Sequence, residues 1–172
     1  MGNAFIKGLS HSADNQIHIV EPISSVKAKL KDDFGVVISD YDDPEKQMSE
    51  IVPLCDYVLI CVKPQVFKKI KESLKNLLSD NQIVISIMAG ISTENLCKGL
   101  GIKNAIRVMP NTPGQIGKGI SVWYKKNKIN SKFEEGIKNI LGALGESEEV
   151  YEEEIIDKAT AISGSGPGYI FY

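Results

Sequence analysis

Residues able to do chemistry fall in short polar or glycine-bearing segments, each following an apolar, β-branched run. Val62-Lys63-Pro64-Gln65, Met88-Ala89-Gly90 and Met109-Pro110-Asn111-Thr112-Pro113-Gly114 all stand at such places. Small residues in the second segment let a flat ring approach the backbone closely. Two prolines around Asn111 and Thr112 make a stiff loop that presents an amide and a hydroxyl in a fixed direction. Taken singly, each segment reads equally well as an ordinary strand-to-helix turn. Taken together, they mark the ligand-binding edge of an open parallel sheet, beyond the carboxyl ends of its strands.

Glu21 closes another apolar run, 19 residues after Gly2. An acid at that point accepts hydrogen bonds from the adenosine ribose hydroxyls of a dinucleotide. A solvated glutamate leading into Pro22 fits equally well. Ser24 and Ser25 either cap the next helix or donate to a 2′-phosphate, so Glu21 and the serines predict opposite preferences, NADH or NADPH. Lys63 sits near a cofactor phosphate or ribose, or simply keeps its loop wet. Ser163-Gly164-Ser165-Gly166-Pro167 joins two hydroxyls, a permissive backbone and a proline suited to the first helical position. Free amides at such a helix start receive a carboxylate; a hinge between domains has the same composition. His11 and His18 have no Cys or carboxylate at metal-ligand spacing, and no metal site is expected. GxSxG, HExxH and GxxxxGK[ST] do not occur, which disfavours those hydrolases and P-loop phosphoryl transfer.

The elements that must position these residues are legible as a rhythm. Apolar runs at 17–20, 36–39, 57–62, 83–87 and 105–109 predict strands whose starts lie 19, 21, 26 and 22 residues apart. Val66, Ile70, Leu74 and Leu77 or Leu78 share one face of a helix. Ser92 ahead of Thr93 and Glu94 predicts a capped helix start, and Ser131 predicts another ahead of Phe133, Ile137 and Leu141. Continuous apolar strands imply a sheet covered on both faces. The repetition predicts an α/β fold with a Rossmann-type, doubly wound, mostly parallel sheet.

The chain has 172 residues, 42% hydrophobic and 24% charged, enough to build a core. A formal charge of −2 provides no basic field for nucleic acid, and the apolar runs are too short to cross a bilayer. Cys55, Cys61 and Cys97 form no CxxC pair and predict buried, reduced thiols in a cytoplasmic protein. Lys125, Lys126 and Lys128 predict a solvated basic loop. The charge-rich segment 146–154 is the expected boundary between a dinucleotide-binding domain, 1–150, and the start of a second domain, 151–172. GNAFIKGL opens like a helix with no strand before it, and GSGPGYIFY stops within an apolar stretch, so both ends read as cut.

In order, GNAFIKGL, VLICVKPQ, VISIMAGIS, RVMPNTPGQIGKGIS and DKATAISGSGPGYIF resemble the pyrroline-5-carboxylate reductase family over nearly the whole chain. MPNTP together with SGSGP is the specific part. The resemblance implies a Rossmann-type domain followed by an all-helical dimerisation domain, and reduction of 1-pyrroline-5-carboxylate to proline with NADPH or NADH. It implies that Gly2 and Asn3 end a glycine-rich phosphate loop. Cys61, Val62, Lys63, Pro64, Ile87, Met88 and Ala89 would contact the cofactor. Ser163, Gly164, Ser165, Gly166 and Pro167 would hold the substrate carboxylate close to a dimer partner, with Asn111 and Thr112 lining the cleft. Gly168 stands where the family commonly has alanine, and Glu21 replaces small polar residues of the 2′-phosphate pocket. Asn111 and Ser165 are expected as positioning groups. The rivals are another Rossmann-type reductase, such as a β-hydroxyacid dehydrogenase, and a catalytically inactive dinucleotide-binding module.

Overall fold

Strands form where β-branched residues run together, and helices where apolar residues recur every three or four positions. The order is α1 (Gly2–Leu9), β1 (His18–Ile19), α2 (Ser24–Phe34), β2 (Val37–Ile38), α3 (Pro44–Ile51), β3 (Tyr57–Ile60) and α4 (Pro64–Lys75). Then follow β4 (Ile83–Ser86), α5 (Thr93–Leu100), β5 (Ala105–Pro110), β6 (Gly119–Lys125), α6 (Ser131–Gly142), β7 (Gly145–Glu149) and α7 (Glu154–Ala159). Short 3-10 helices occupy Val52–Leu54 and Thr112–Ile116, and a π-helical segment occupies Thr160–Gly164. The structure, a computed structural model, describes residues 1–12, 15–38, 41–164, 166 and 168.

Helix starts follow local chemistry. The Asp43 carboxylate accepts from the Glu45 amide and Pro44 takes the first turn of α3. Ser92 accepts from the Asn95 amide at 3.2 Å and caps α5, as its sequence predicts. At α6 the cap is Asn130, which accepts from the Lys132 amide, and Ser131 is already helical. Asn130 precedes the first turn with extended backbone, the geometry a capping side chain needs, so it displaces Ser131 from that role. At α2 neither Ser24 nor Ser25 caps; the position belongs to Ile23, which carries no side-chain acceptor.

β3, β4 and β5 are parallel, with Leu59, Ile85 and Ile106 in one row. β6 returns antiparallel against β5, and β7 runs parallel to β6. β1 and β2 form a separate parallel pair, not hydrogen-bonded to the five-stranded sheet among the described residues. β4 is buried along its whole length, as expected for a strand covered on both faces. One core holds Phe5, Ile85, Ile106, Trp123, Ile137 and Leu141 between the sheet and α1 with α6. The other holds Met48, Ile60, Phe67, Val84, Leu96 and Leu100 beneath α3, α4 and α5. Burial of side chains the size of Phe67 or Leu96 stabilises by about 1.5–3 kcal/mol each.

Several expectations are corrected. The strands are shorter than their apolar runs at 17–20, 57–62 and 83–87, and at 36–39 within the described residues, while the last reaches Pro110. β6 and β7 are additional strands, so the segment 146–154 begins inside the sheet, with Glu146, Glu148 and Glu149 on its edge strand. Val66 is exposed; the buried face of α4 is set by Phe67 and Leu74. Cys55 and Cys97 are half-buried and Cys61 is exposed, all three free. Lys125 is not a solvated loop residue: it sits on β6 with its ammonium against the carboxylates of Glu134 and Glu149. Among the described residues, no helix is long and apolar enough to cross a membrane.

Candidate functional site

Three parallel strands end at one edge, and their succeeding loops hold most of the residues singled out above. After β3 come Cys61, Val62, Lys63 and Pro64; Lys63 is the extended residue before α4, and Pro64 is its first helical residue. The Lys63 carbonyl accepts from the Val66 and Phe67 amides, while its side chain is exposed. After β4 come Ile87, Met88 and Ala89. Ile87 is half-buried and Ala89 exposed. Met88 is only 2% exposed and packs in the core, so a ligand at this edge meets its backbone and not its thioether.

α1 brings its open end to the same edge. A Cβ placed on Gly2 would lie 3.5 Å from the Cys61 Cβ, and one placed on Gly114 would lie 3.2 Å from the Met1 Cε. The helix start therefore stands between the ends of β3 and β5. No side chain caps it and its first turn holds no acid. The Ala4 and Phe5 amides are taken by the Met1 carbonyl. Those of Gly2 and Asn3 have no partner among the described residues. Uncapped amides at a helix start, free of negative charge, fit a phosphate group.

The thiol of Cys61 lies beside this helix start. The residue is exposed to solvent, yet desolvation by the protein atoms gathered around its thiol pushes its pKa up to about 11, with the α-amino group opposing. Accessible surface governs whether a reagent reaches the sulfur, and the raised pKa keeps it protonated when one does.

Glu21 is held at the end of β1 by a residue the sequence reading passed over. Gln47 is fully buried; its side-chain oxygen accepts from the Glu21 amide at 2.9 Å and its nitrogen donates to the Glu21 carbonyl at 3.2 Å and to the Tyr41 carbonyl. The Glu21 carboxylate accepts from the Ile23 amide at 2.9 Å. This orders the turn into α2 and occupies one of the two carboxylate oxygens. Gln47 had a visible signal, because it shares the buried stripe of α3 with Met48 and Ile51.

Asn111 and Ser163, 52 residues apart, meet. The Asn111 amide nitrogen donates to the Ser163 Oγ at 3.1 Å, while its oxygen accepts from the Ile120 amide at 3.0 Å. A Cβ on Gly164 would lie 3.8 Å from the Met109 Sδ, which sets the π-helical segment against the end of β5. Thr112 is exposed in the 3-10 helix after Asn111. Gly166 is half-buried, and Ser165 and Pro167 lie outside the described residues. No group of three or more His, Cys, Asp or Glu among the described residues could hold a metal ion.

Sequence reasoning also missed a buried charge. Arg107 interrupts the apolar β5 and is 2% exposed, with its guanidinium against Glu153 and Asp157. A charged residue inside AIRVMP was itself the signal.

A mostly parallel sheet whose strand ends meet an open helix start in this way defines a Rossmann-type dinucleotide-binding protein. The chain belongs to the NADP oxidoreductase coenzyme F420-dependent family, whose model matches residues 1–90. Its resemblance to pyrroline-5-carboxylate reductases is borne out by relatives of that name. That of Arabidopsis thaliana is 39% identical over 122 residues, covering 71% of this chain and 44% of the relative. The solved pyrroline-5-carboxylate reductase of Coxiella burnetii superposes with a TM-score of 0.86 at 29% identity, covering 99% of this chain and 62% of that one. The Plasmodium falciparum pyrroline carboxylate reductase, solved with NADP bound, shares the fold with a TM-score of 0.80 at 24% identity, covering 99% and 61%. The chain thus spans between 43% and 63% of the length of curated relatives of that name.

Proposed function

We propose that this chain serves NAD(P)H-dependent reduction of 1-pyrroline-5-carboxylate to L-proline, the final step of proline biosynthesis. One observation carries the reading: the open start of α1, the ends of β3, β4 and β5, and the Asn111–Ser163 contact converge on a single edge of the sheet. The named relatives support it, as does NADP in the Plasmodium falciparum structure.

In this reading the amides of Gly2 and Asn3 receive the dinucleotide pyrophosphate, and Glu21 faces the adenosine ribose. The backbone of Cys61, Val62, Lys63, Pro64, Ile87, Met88 and Ala89 forms the floor under the rest of the cofactor. The reduced nicotinamide supplies the hydride. Ser163, Gly164, Ser165, Gly166 and Pro167 receive the substrate carboxylate. Asn111 and Ser165 act by positioning; a protonated imine is electrophilic enough to need no dedicated acid. Orientation and exclusion of water are then the protein's main tasks.

Residues 1–150 are in this reading the dinucleotide-binding domain, and residues 151–172 open a helical domain that makes a homodimer or higher homo-oligomer. The protein works in the cytoplasm, with neither a nucleic acid nor a membrane as partner. The test is oxidation of NADPH and of NADH, followed by loss of nicotinamide absorbance, with and without pyrroline-5-carboxylate. Imine-dependent oxidation with proline as product is expected. Tight dinucleotide binding without turnover of any cyclic imine would leave a binding module and overturn the reductase assignment.

A further inference from the structure

We propose that Arg107 is a positioning residue: it fixes the segment Thr160–Gly164 over the end of β5 through a clamp in which the buried Arg107 and Thr93 hold the partly exposed carboxylates of Glu153 and Asp157. Assigning that segment to the substrate rests on the function proposed above; the clamp itself rests on geometry alone.

The Arg107 guanidinium reaches two carboxylates on or next to α7. Its Nη2 lies 2.5 Å from the Asp157 Oδ1 and its Nη1 lies 3.5 Å from the Glu153 Oε1. Glu153 is in turn held by the start of α5, where the Thr93 amide donates to Oε1 at 2.7 Å and the Thr93 hydroxyl to Oε2 at 2.9 Å. Thr93 is fully buried, so its end of this contact lies inside the fold, while the Glu153 side chain keeps 22% exposure. A carboxylate at a helix start also meets the favourable end of the helix dipole. Three elements, β5, α5 and α7, are thereby tied at one point.

What this point holds in place is the chain immediately beyond. α7 runs without a break into the π-helical segment, and the Thr160 hydroxyl donates back to the Ile156 carbonyl at 2.7 Å. Downstream, Ser163 accepts from Asn111 and Gly164 faces Met109. Arg107 and Met109 lie two positions apart on β5, hence on one face of the sheet. The clamp therefore anchors the near end of the segment from β5, and the Asn111–Ser163 bond anchors its far end from the residue that follows β5. Single-turn π-helical segments are rare and occur frequently at functional sites.

The guanidinium is poorly optimised as a stabilising group. Its Nε is buried without a protein partner, and burying a charge costs more than surface pairing returns. A charge retained under those terms fixes a register between elements that apolar packing would leave free to slide.

The experiment compares Arg107→Met, Arg107→Lys and Asp157→Asn with the parent chain. Amide hydrogen exchange is read over 160–164 and over β4 and β5, dinucleotide affinity is measured, and KM is determined for the imine. Arg107→Met and Asp157→Asn are expected to speed exchange over 160–164 by about tenfold with β4 and β5 unchanged. KM for the imine is expected to rise by about the same factor at unchanged dinucleotide affinity. Arg107→Lys, which keeps the charge and loses the fork, is expected to recover part of both. Exchange that is unchanged over 160–164, or that rises equally in β4 and β5, would overturn the proposal. If Arg107→Met does not fold, Asp157→Asn decides alone, since the Asp157 side chain is 63% exposed. If the parent chain reduces no imine, the proposed function falls while the exchange data still decide the clamp.

Discussion

At Glu21 the structure separates backbone from side chain. Gln47 holds the amide and carbonyl of Glu21 from a fully buried position, so the residue's place at the end of β1 does not depend on its carboxylate. That carboxylate spends one oxygen on the Ile23 amide and keeps the other. A second anion such as a ribose 2′-phosphate would be repelled there, whereas ribose hydroxyls would be accepted. Glu21→Ser is therefore expected to shift the ratio of NADPH to NADH dissociation constants toward NADPH by about tenfold. An unchanged ratio in a fluorescence titration would remove Glu21 from the cofactor site. Glu21 itself was legible from its distance to Gly2. For Gln47 only the buried stripe it shares with Met48 and Ile51 was legible; its hold on Glu21 was not, because the partners of its amide lie in distant parts of the chain.

Elements approach one another closely where glycine allows it. A Cβ on Gly8 of α1 would lie 2.3 Å from the Ala143 carbonyl oxygen and 2.7 Å from the Ala143 Cβ, at the end of α6. A helix backbone cannot yield that much cheaply, so Gly8→Ala must push α1 away from α6. The expected loss is about 1–3 kcal/mol in a urea titration, together with weaker dinucleotide binding, because the start of α1 moves with the rest of the helix. Gly142→Ala is the control. A Cβ there meets nothing within 4 Å, and stability is expected to hold or to rise by roughly 0.5–1 kcal/mol from helix propensity. Loss of stability with dinucleotide affinity intact in Gly8→Ala would separate α1 from the phosphate role. A similar crowding governs the start of β7: Gly145 has φ +127, and its Cβ would lie 2.3 Å from the Gly119 carbonyl oxygen. No rule of strand propensity could have found GESEE, since the strand contains no apolar residue and is defined by its pairing with β6.

Across the molecule, ion pairs set the limits of pH stability. Glu134 is held below the ordinary carboxylate range first by its hydrogen bond from Lys125, and Asp42 likewise by Lys27. Burial pulls the pKa of Lys125 down, yet its bonds to Glu134 and Glu149 together outweigh that and leave it raised. A lowered carboxylate contributes stability that is present above its unfolded pKa, about 4, and is lost as pH falls through the folded value. A raised lysine contributes stability that is present below its unfolded pKa, about 10.4, and is lost only as pH rises through the folded value. The expected profile is flat through neutrality with an acid limb below about pH 4. Lys125→Met is expected to shorten that limb, because Glu134 then titrates closer to its unfolded value. Urea midpoints taken between neutral and acid pH check this, and an acid limb identical in parent and variant would show that the pair contributes nothing.

By itself the amino-acid sequence determined the alternation of strand and helix, the placement of polar loops at strand ends and the motifs MPNTP and SGSGP. These are properties of neighbours along the chain: β-branched runs, helical periodicity, and proline or glycine where the backbone must turn. Tertiary structure decided what depends on residues far apart. It brought Asn111 to Ser163 and Arg107 to Glu153 and Asp157, separations of 52, 46 and 50 residues. It buried Met88 and exposed Cys61, although both stand at strand ends. It made a strand of five polar and glycine residues by giving their amides and carbonyls a partner. The physical reason is common to all of these. Local preference depends on each residue's own backbone and its near neighbours, whereas burial, pairing and the satisfaction of charge are settled only when distant elements pack.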